Sequence, residues 1–153
     1  KNWPGAALSR LTSEDIIPVA SPEIIKKYKL SSPKSVLNAP LLHLDTRQTA
    51  WNDWFAAANI LEVQAVRGKY FDQFSMVIVA ATSSMGVGLV PSYLIQDELN
   101  SGILKQVNNL SLVTGNQYFI ATPSGVENEQ AEIFIKWMRQ QIAKTESFLK
   151  TTL

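Results

Sequence analysis

Apolar and polar positions change period several times along the chain, and each change marks an element. "DIIPVAS" is a short β-branched run and predicts a strand. Ser21, Pro22 and Glu23 then form a helix start. Serine can accept from the orphan amides, proline suits the first turn, and glutamate favours the positive helix end. "SPEIIKKYK" is the helix, and "SSPKSVLNAP" reads as a loop with one helical turn. "PLLHL" is a compact apolar strand. From Thr46 the period lengthens: Trp51, Trp54, Phe55 and Ala58 recur as one face of a helix. "ILEVQAV" alternates and predicts the next strand.

The stretch "RGKYFDQFSMVIVAATSSMGVGLVP" carries the most information. It predicts a turn holding Tyr70 and Phe71, then a helix over residues 72–85 that Asp72 caps. Gly86 is placed to end that helix in the left-handed conformation, and "VGLVP" follows as a buried strand. "SYLIQDELNSG" predicts a short helix with Gly102 just past its end, and "QYFIATP" a last strand. "NEQAEIFIKWMRQQIAKTES" predicts a helix whose Phe134, Trp137, Met138 and Ile142 stripe reads as core or interface.

Strand and helix therefore alternate, which predicts an α/β fold with a largely parallel sheet. "PLLHL" and "VGLVP" are apolar on both faces, as strands covered by helices on both sides should be. In such sheets ligands bind beyond the carboxyl ends of the strands, at helix N-termini.

Composition narrows the function classes. The 153 residues suit one domain or two small lobes. With 14 Lys plus Arg against 13 Asp plus Glu, the chain has no electrostatic case of its own for binding nucleic acid or an anionic membrane. Zero cysteines exclude disulfides, thiolate catalysis and Cys-ligated zinc, and are compatible with a reducing cytosol. No apolar run approaches the roughly 20 residues that span a bilayer. "KNWPGAALSR" lacks the apolar core of a signal peptide and reads like the inside of a loop, as if cut from a longer chain.

His43 is the single histidine. A triad would need a nucleophile and an orienting carboxylate, with Ser75 and Asp45 as the candidates, but there is no "GxSxG" elbow and Ser75 lies inside a predicted helix. His43 is read instead as a polar residue completing a strand. One histidine with scattered carboxylates does not make a metal site. "GVG" follows a helix and precedes a strand, the reverse of a dinucleotide loop. Trp51 and Trp54, at helical spacing beside Phe55, are read as core. "YFDQF" supports two readings equally: a cap with packing beneath it, or aromatic walls and polar groups around a small polar ligand.

Taken in order, several stretches resemble the effector-binding domain of LysR-type transcriptional regulators. The branch that contains the glycine-cleavage activator and the β-lactamase regulator is the most similar. "NWPG" with "LTSEDIIPVASPEII" resembles the strand crossing between two lobes and its "SP" helix. "APLLHLDTRQTAWNDWF" resembles the "LLH…W..W" unit, and "YFDQFSMVIVAATSSMGVGLVPSYLI" the "FD…A..G.GVAL.P" block. "LNSGIL" and "QYFIATP…FIKWM" resemble the closing segments.

The resemblance implies an α/β fold like type II periplasmic binding proteins, with one nearly complete Rossmann-like lobe and a partial second lobe. Residues 1–20 would be a remnant of lobe I and the first crossing strand. Residues 21–117 would be effector-binding lobe II, and 118–153 the second crossing with a lobe I helix. It implies a cytoplasmic sensor without catalysis or cofactor that binds a small-molecule effector and acts as a homo-oligomer. DNA would be bound only through an N-terminal winged helix-turn-helix absent from this chain, and no membrane is involved. Ligand contacts map to Phe71, Asp72, Gln73, Phe74, Tyr118, Asp45 and Thr46. Gln73 and Tyr118 would hydrogen-bond, Phe71 and Phe74 would form walls, and Asp72 would chiefly cap. The last helix would lack its sheet partner, leaving the Phe134 and Trp137 face exposed, paired with another chain, or repacked. Two rivals remain: a periplasmic solute-binding protein of the same fold, and a small enzyme dependent on His43.

Overall fold

The computed structural model describes residues 3–61, 68–125 and 128–152, with side chains through residue 144. The chain divides into two compact units. One is the continuous segment Asp15–Leu112, and the other joins Lys1–Glu14 to Val113–Leu153.

In the continuous unit the elements are the second half of β1 (Ala6–Ala20), α1 (Pro22–Tyr28), β2 (Leu41–Leu44), α2 (Ala50–Ala57) and β3 (Gly68–Phe71), followed by α3 (Phe74–Thr82), β4 (Val87–Pro91), α4 (Gln96–Ser101) and β5 (Lys105–Gln106). The sheet order is β3-β2-β4-β1-β5. β2 runs parallel to both β3 and β4, whereas β1 is antiparallel to β4 and β5.

Two clusters sandwich this sheet. Ile16, Leu41, Val87 and Leu89 face Ile24, Val36, Trp51, Trp54 and Phe55. Ile17, Val19, Leu42 and Val90 face Val77, Ala80 and Ala81 of α3. Neighbouring strand residues divide between the clusters because a strand's side chains alternate faces, and both faces here are covered. Each buried indole keeps a polar partner: Trp51 Nε1 donates to the Leu42 carbonyl at 3.0 Å and Trp54 Nε1 to that of Leu110 at 3.1 Å.

The helix ends test the sequence reading closely. Ser21 caps α1 as expected, accepting from the Ile24 amide at 3.3 Å. Asp72 does not cap α3. The N-cap is Gln73, and its side chain makes no cap bond. The helix therefore begins two residues later than predicted, because β3 continues through Phe71 and the backbone turns at Asp72. Nor does Gly86 end α3. Ser84 takes the left-handed turn at φ 57°, and the Ser84 and Met85 amides donate to the Ala81 and Ala80 carbonyls. Ser84 is held there by a 2.8 Å hydrogen bond to Ser21. Gly86 matters for space instead, since a Cβ there would lie 2.3 Å from the Pro40 carbonyl oxygen.

Tyr70 and Phe71, expected in a turn, are part of β3. In the predicted strand "ILEVQAV", Ile60 and Leu61 are not in a strand, and residues 62–66 lie outside the described residues.

In the other unit the first half of β1 pairs with β6 (Leu112–Pro123), and α5 (Glu129–Thr152) follows. Thr114 lies beside Glu14 and Thr122 beside Ala7, so the strands run in opposite directions. Along α5, Ala131, Ile135, Met138 and Ile142 are half-buried. Phe134 and Trp137 are 56% and 51% exposed, so the core reading of those two is corrected. They stack on each other with ring centroids 5.7 Å apart.

Candidate functional site

The parallel register of β2 and β3 builds the candidate site. Leu44 lies opposite Phe71. The residues that follow each strand therefore leave the sheet at the same, carboxyl edge. After β2 comes a single 3-10 turn, Asp45–Arg47. After β3 come Asp72 and Gln73, and then α3.

Asp45, Thr46, Asp72 and Gln73 are exposed, while Phe71 and Phe74 are half-buried and pack on the core beneath. The Asp45 carboxylate accepts from Gln48 Nε2 at 3.3 Å. The Gln73 carbonyl accepts from the Met76 and Val77 amides, and its side-chain oxygen accepts from the Ser75 hydroxyl at 3.3 Å. Gln73 makes no side-chain cap bond at the start of α3.

Arg47 ties the two halves of the edge together. Its guanidinium carbon lies 5.3 Å from the centroid of the Phe74 ring. A cation over an aromatic face at that distance is attracted by about 0.5–1 kcal/mol at an exposed site. Sequence reasoning did not single out Arg47. Its only signal was its place immediately after Asp45 and Thr46, past the end of an apolar strand.

His43, the other chemically interesting residue of β2, is buried and stacks on Tyr70 with centroids 4.7 Å apart. That stack depends on Gly68, where a Cβ would come within 2.7 Å of His43 Nε2. Ser75 sits within α3 and donates to Gln73.

The remaining predicted residue, Tyr118, belongs to the other unit. Tyr118 is 38% exposed, and its hydroxyl donates to Glu14 Oε1 at 2.8 Å. A shallow groove of about 730 Å³ also lies in that unit, lined by Ser9 of β1 and by Ile135, Lys136 and Arg139 of α5. None of the predicted residues lines it. Among the described residues, no group of three or more His, Cys, Asp or Glu could hold a metal ion. No described helix is long and apolar enough to cross a membrane.

The mixed sheet, with helices packed on both faces, has the type II periplasmic-binding-protein-like fold. The fold is similar to the effector domain of the transcriptional regulator AmpR of Pseudomonas aeruginosa. That match has a TM-score of 0.76 and 22% identity, and it covers 97% of this chain and 71% of that one. The AmpR effector-binding domain from Citrobacter freundii also has a TM-score of 0.76, at 21% identity, covering 94% and 70%.

The family model for the LysR substrate binding domain matches residues 1–143, and the chain belongs to that family. It is 29% identical to the glycine cleavage system transcriptional activator of Escherichia coli K12, over 93% of this chain and 47% of that protein. It is likewise 29% identical to the HTH-type transcriptional regulator TrpI of Pseudomonas aeruginosa, over 92% and 48%. The chain thus spans about half the length of these relatives. They are transcriptional regulators, which favours a regulator over a periplasmic solute-binding protein.

Proposed function

We propose that this chain is the effector-sensing part of a LysR-type transcriptional regulator. The match of the substrate-binding family model to residues 1–143 carries this reading. The full-length protein would work in the cytoplasm as a homo-oligomer. It would contact DNA through an N-terminal winged helix-turn-helix and change those contacts when a small molecule shifts its conformational balance. It needs no cofactor and performs no catalysis.

The proposed effector site is the carboxyl edge of β2 and β3. Gln73 supplies hydrogen bonds, and Phe71 and Phe74 supply apolar walls. Asp45, Thr46 and Asp72 add polar contacts, and Arg47 adds a cation held against Phe74. Tyr118 is proposed by itself as a ligand contact of its own unit. Aromatic walls with a few convergent polar groups suit a small polar ligand, and the uncapped start of α3 favours an anionic group on it.

Two experiments test this reading. Sequencing the coding region upstream of Lys1 should reveal a winged helix-turn-helix, and a signal peptide there would overturn the regulator reading. Thermal-shift and calorimetric screening against amino acids, their metabolites and cell-wall fragments should identify a ligand. Gln73→Ala should then weaken its binding by about tenfold, the loss of one good polar contact. Unchanged affinity would remove Gln73 from the site.

A further inference from the structure

The unit formed by Lys1–Glu14 and Val113–Leu153 contains a fully buried carboxylate, that of Glu14. Donors from three β6 residues converge on it. Thr114 Oγ1 and Asn116 Nδ2 donate to Glu14 Oε2 at 2.8 and 3.2 Å, and the Tyr118 hydroxyl donates to Oε1 at 2.8 Å. Gly115, between the first two donors, has a φ of 74°. This left-handed kink accompanies a bond from the Asn116 amide back to Thr114 Oγ1 at 3.2 Å. A carboxylate taken out of water is costly unless it is well bonded, and charge-assisted bonds are the strong kind.

We propose that Glu14 is a positioning residue that holds Tyr118 by its hydroxyl and leaves the ring of this exposed residue as the surface an effector meets. The proposal rests on reading Tyr118 as an effector contact. It changes what that contact is. The hydroxyl proton is engaged inside the fold, so recognition at Tyr118 runs through the aromatic face and the oxygen's lone pairs, and Glu14 anchors the hydroxyl end of the ring. Thr114 and Asn116 belong to the same latch.

The test uses the chain without effector. A Raman difference spectrum between wild type and Tyr118→Phe isolates the Tyr118 ring doublet, which reports how strongly its hydroxyl donates. Wild type should show a donor to a carboxylate, and Glu14→Gln should move the doublet toward a weaker donor. Amide hydrogen exchange at residues 114–118 should rise about tenfold in Glu14→Gln, the loss expected for a hydrogen bond to a charged group. An unmoved doublet together with unchanged exchange would overturn the proposal. If Glu14→Gln does not fold, Tyr118→Phe decides: faster exchange at Thr114 and Asn116 supports the latch, and unchanged exchange overturns it. Failure here removes the latch alone, whereas the effector reading stands or falls on the ligand screen.

Discussion

Gly68→Ala is expected to loosen the candidate site by pushing away the strand that carries half of it. A Cβ at residue 68 would lie 2.0 Å from the Leu41 carbonyl oxygen and 2.5 Å from His43 Cδ2. Ordinary contact begins at 3.4 Å, so the backbone shortfall is about 1.4 Å. The obstacle is main chain, so no side-chain rotation relieves it. β3 is the edge strand and its sheet neighbour is β2, with Gly68 opposite Leu41. Separating this end of the pair sacrifices about two ladder bonds at roughly 0.5–1.5 kcal/mol each. Disturbing the His43–Tyr70 stack adds about 0.5–1 kcal/mol. The sum is about 1.5–4 kcal/mol. Urea denaturation followed by circular dichroism measures it as a lower midpoint at constant slope. Gly102→Ala is the control, with a φ of 74° but nothing within 4 Å of its Cβ, and should cost about 1 kcal/mol. If Gly68→Ala were no more destabilising than Gly102→Ala, the steric argument would be wrong. Because Phe71, Asp72 and Gln73 follow directly on β3, any ligand found in the screen should also bind less tightly.

Other substitutions probe the supports around the site. Trp54→Phe leaves the Leu110 carbonyl without its indole partner and trims a fully buried ring. It should cost about 2–4 kcal/mol in the same urea assay, combining a lost buried hydrogen bond with a small cavity. Lys29→Gly acts in the opposite direction. Lys29 ends α1 at φ 51°, a conformation glycine adopts freely, and the change should raise stability by about 0.5–1 kcal/mol, seen as a higher melting temperature.

Local signals were legible wherever local chemistry decides the structure. Ser21-Pro22-Glu23 announces α1 because each residue answers a specific need of a helix start. Trp51, Trp54 and Phe55 mark a buried helical face because their spacing matches the turn of the helix. The carboxyl edge of β2 was found through "LLHLD", an apolar run ending on a charge. β3 was missed for the opposite reason: it has four residues, Gly68, Lys69 and Tyr70 are exposed, and no alternation betrays it. Its pairing with β2 is a long-range choice that a local pattern does not carry. The same omission placed Asp72 at the helix cap. On α5 two apolar stripes interleave, and the predicted stripe joined Phe134 and Trp137 of the outer one to Met138 and Ile142 of the inner one. Arg47 escaped notice because its role depends on Phe74, which reaches it only after the chain has passed through α2 and β3.

The order of the two units along the chain bears on how the protein is made. The segment Asp15–Leu112 is continuous, while the other unit is split around it. On the ribosome, where synthesis runs at about 5–20 residues per second, the continuous segment can fold as soon as it emerges. The strand half ending at Glu14 must wait, because Thr114, Asn116 and Tyr118 are made only after that whole segment. Until then the Glu14 carboxylate has none of those three donors, and a strand half waiting for its partner is the kind of segment on which chaperones act.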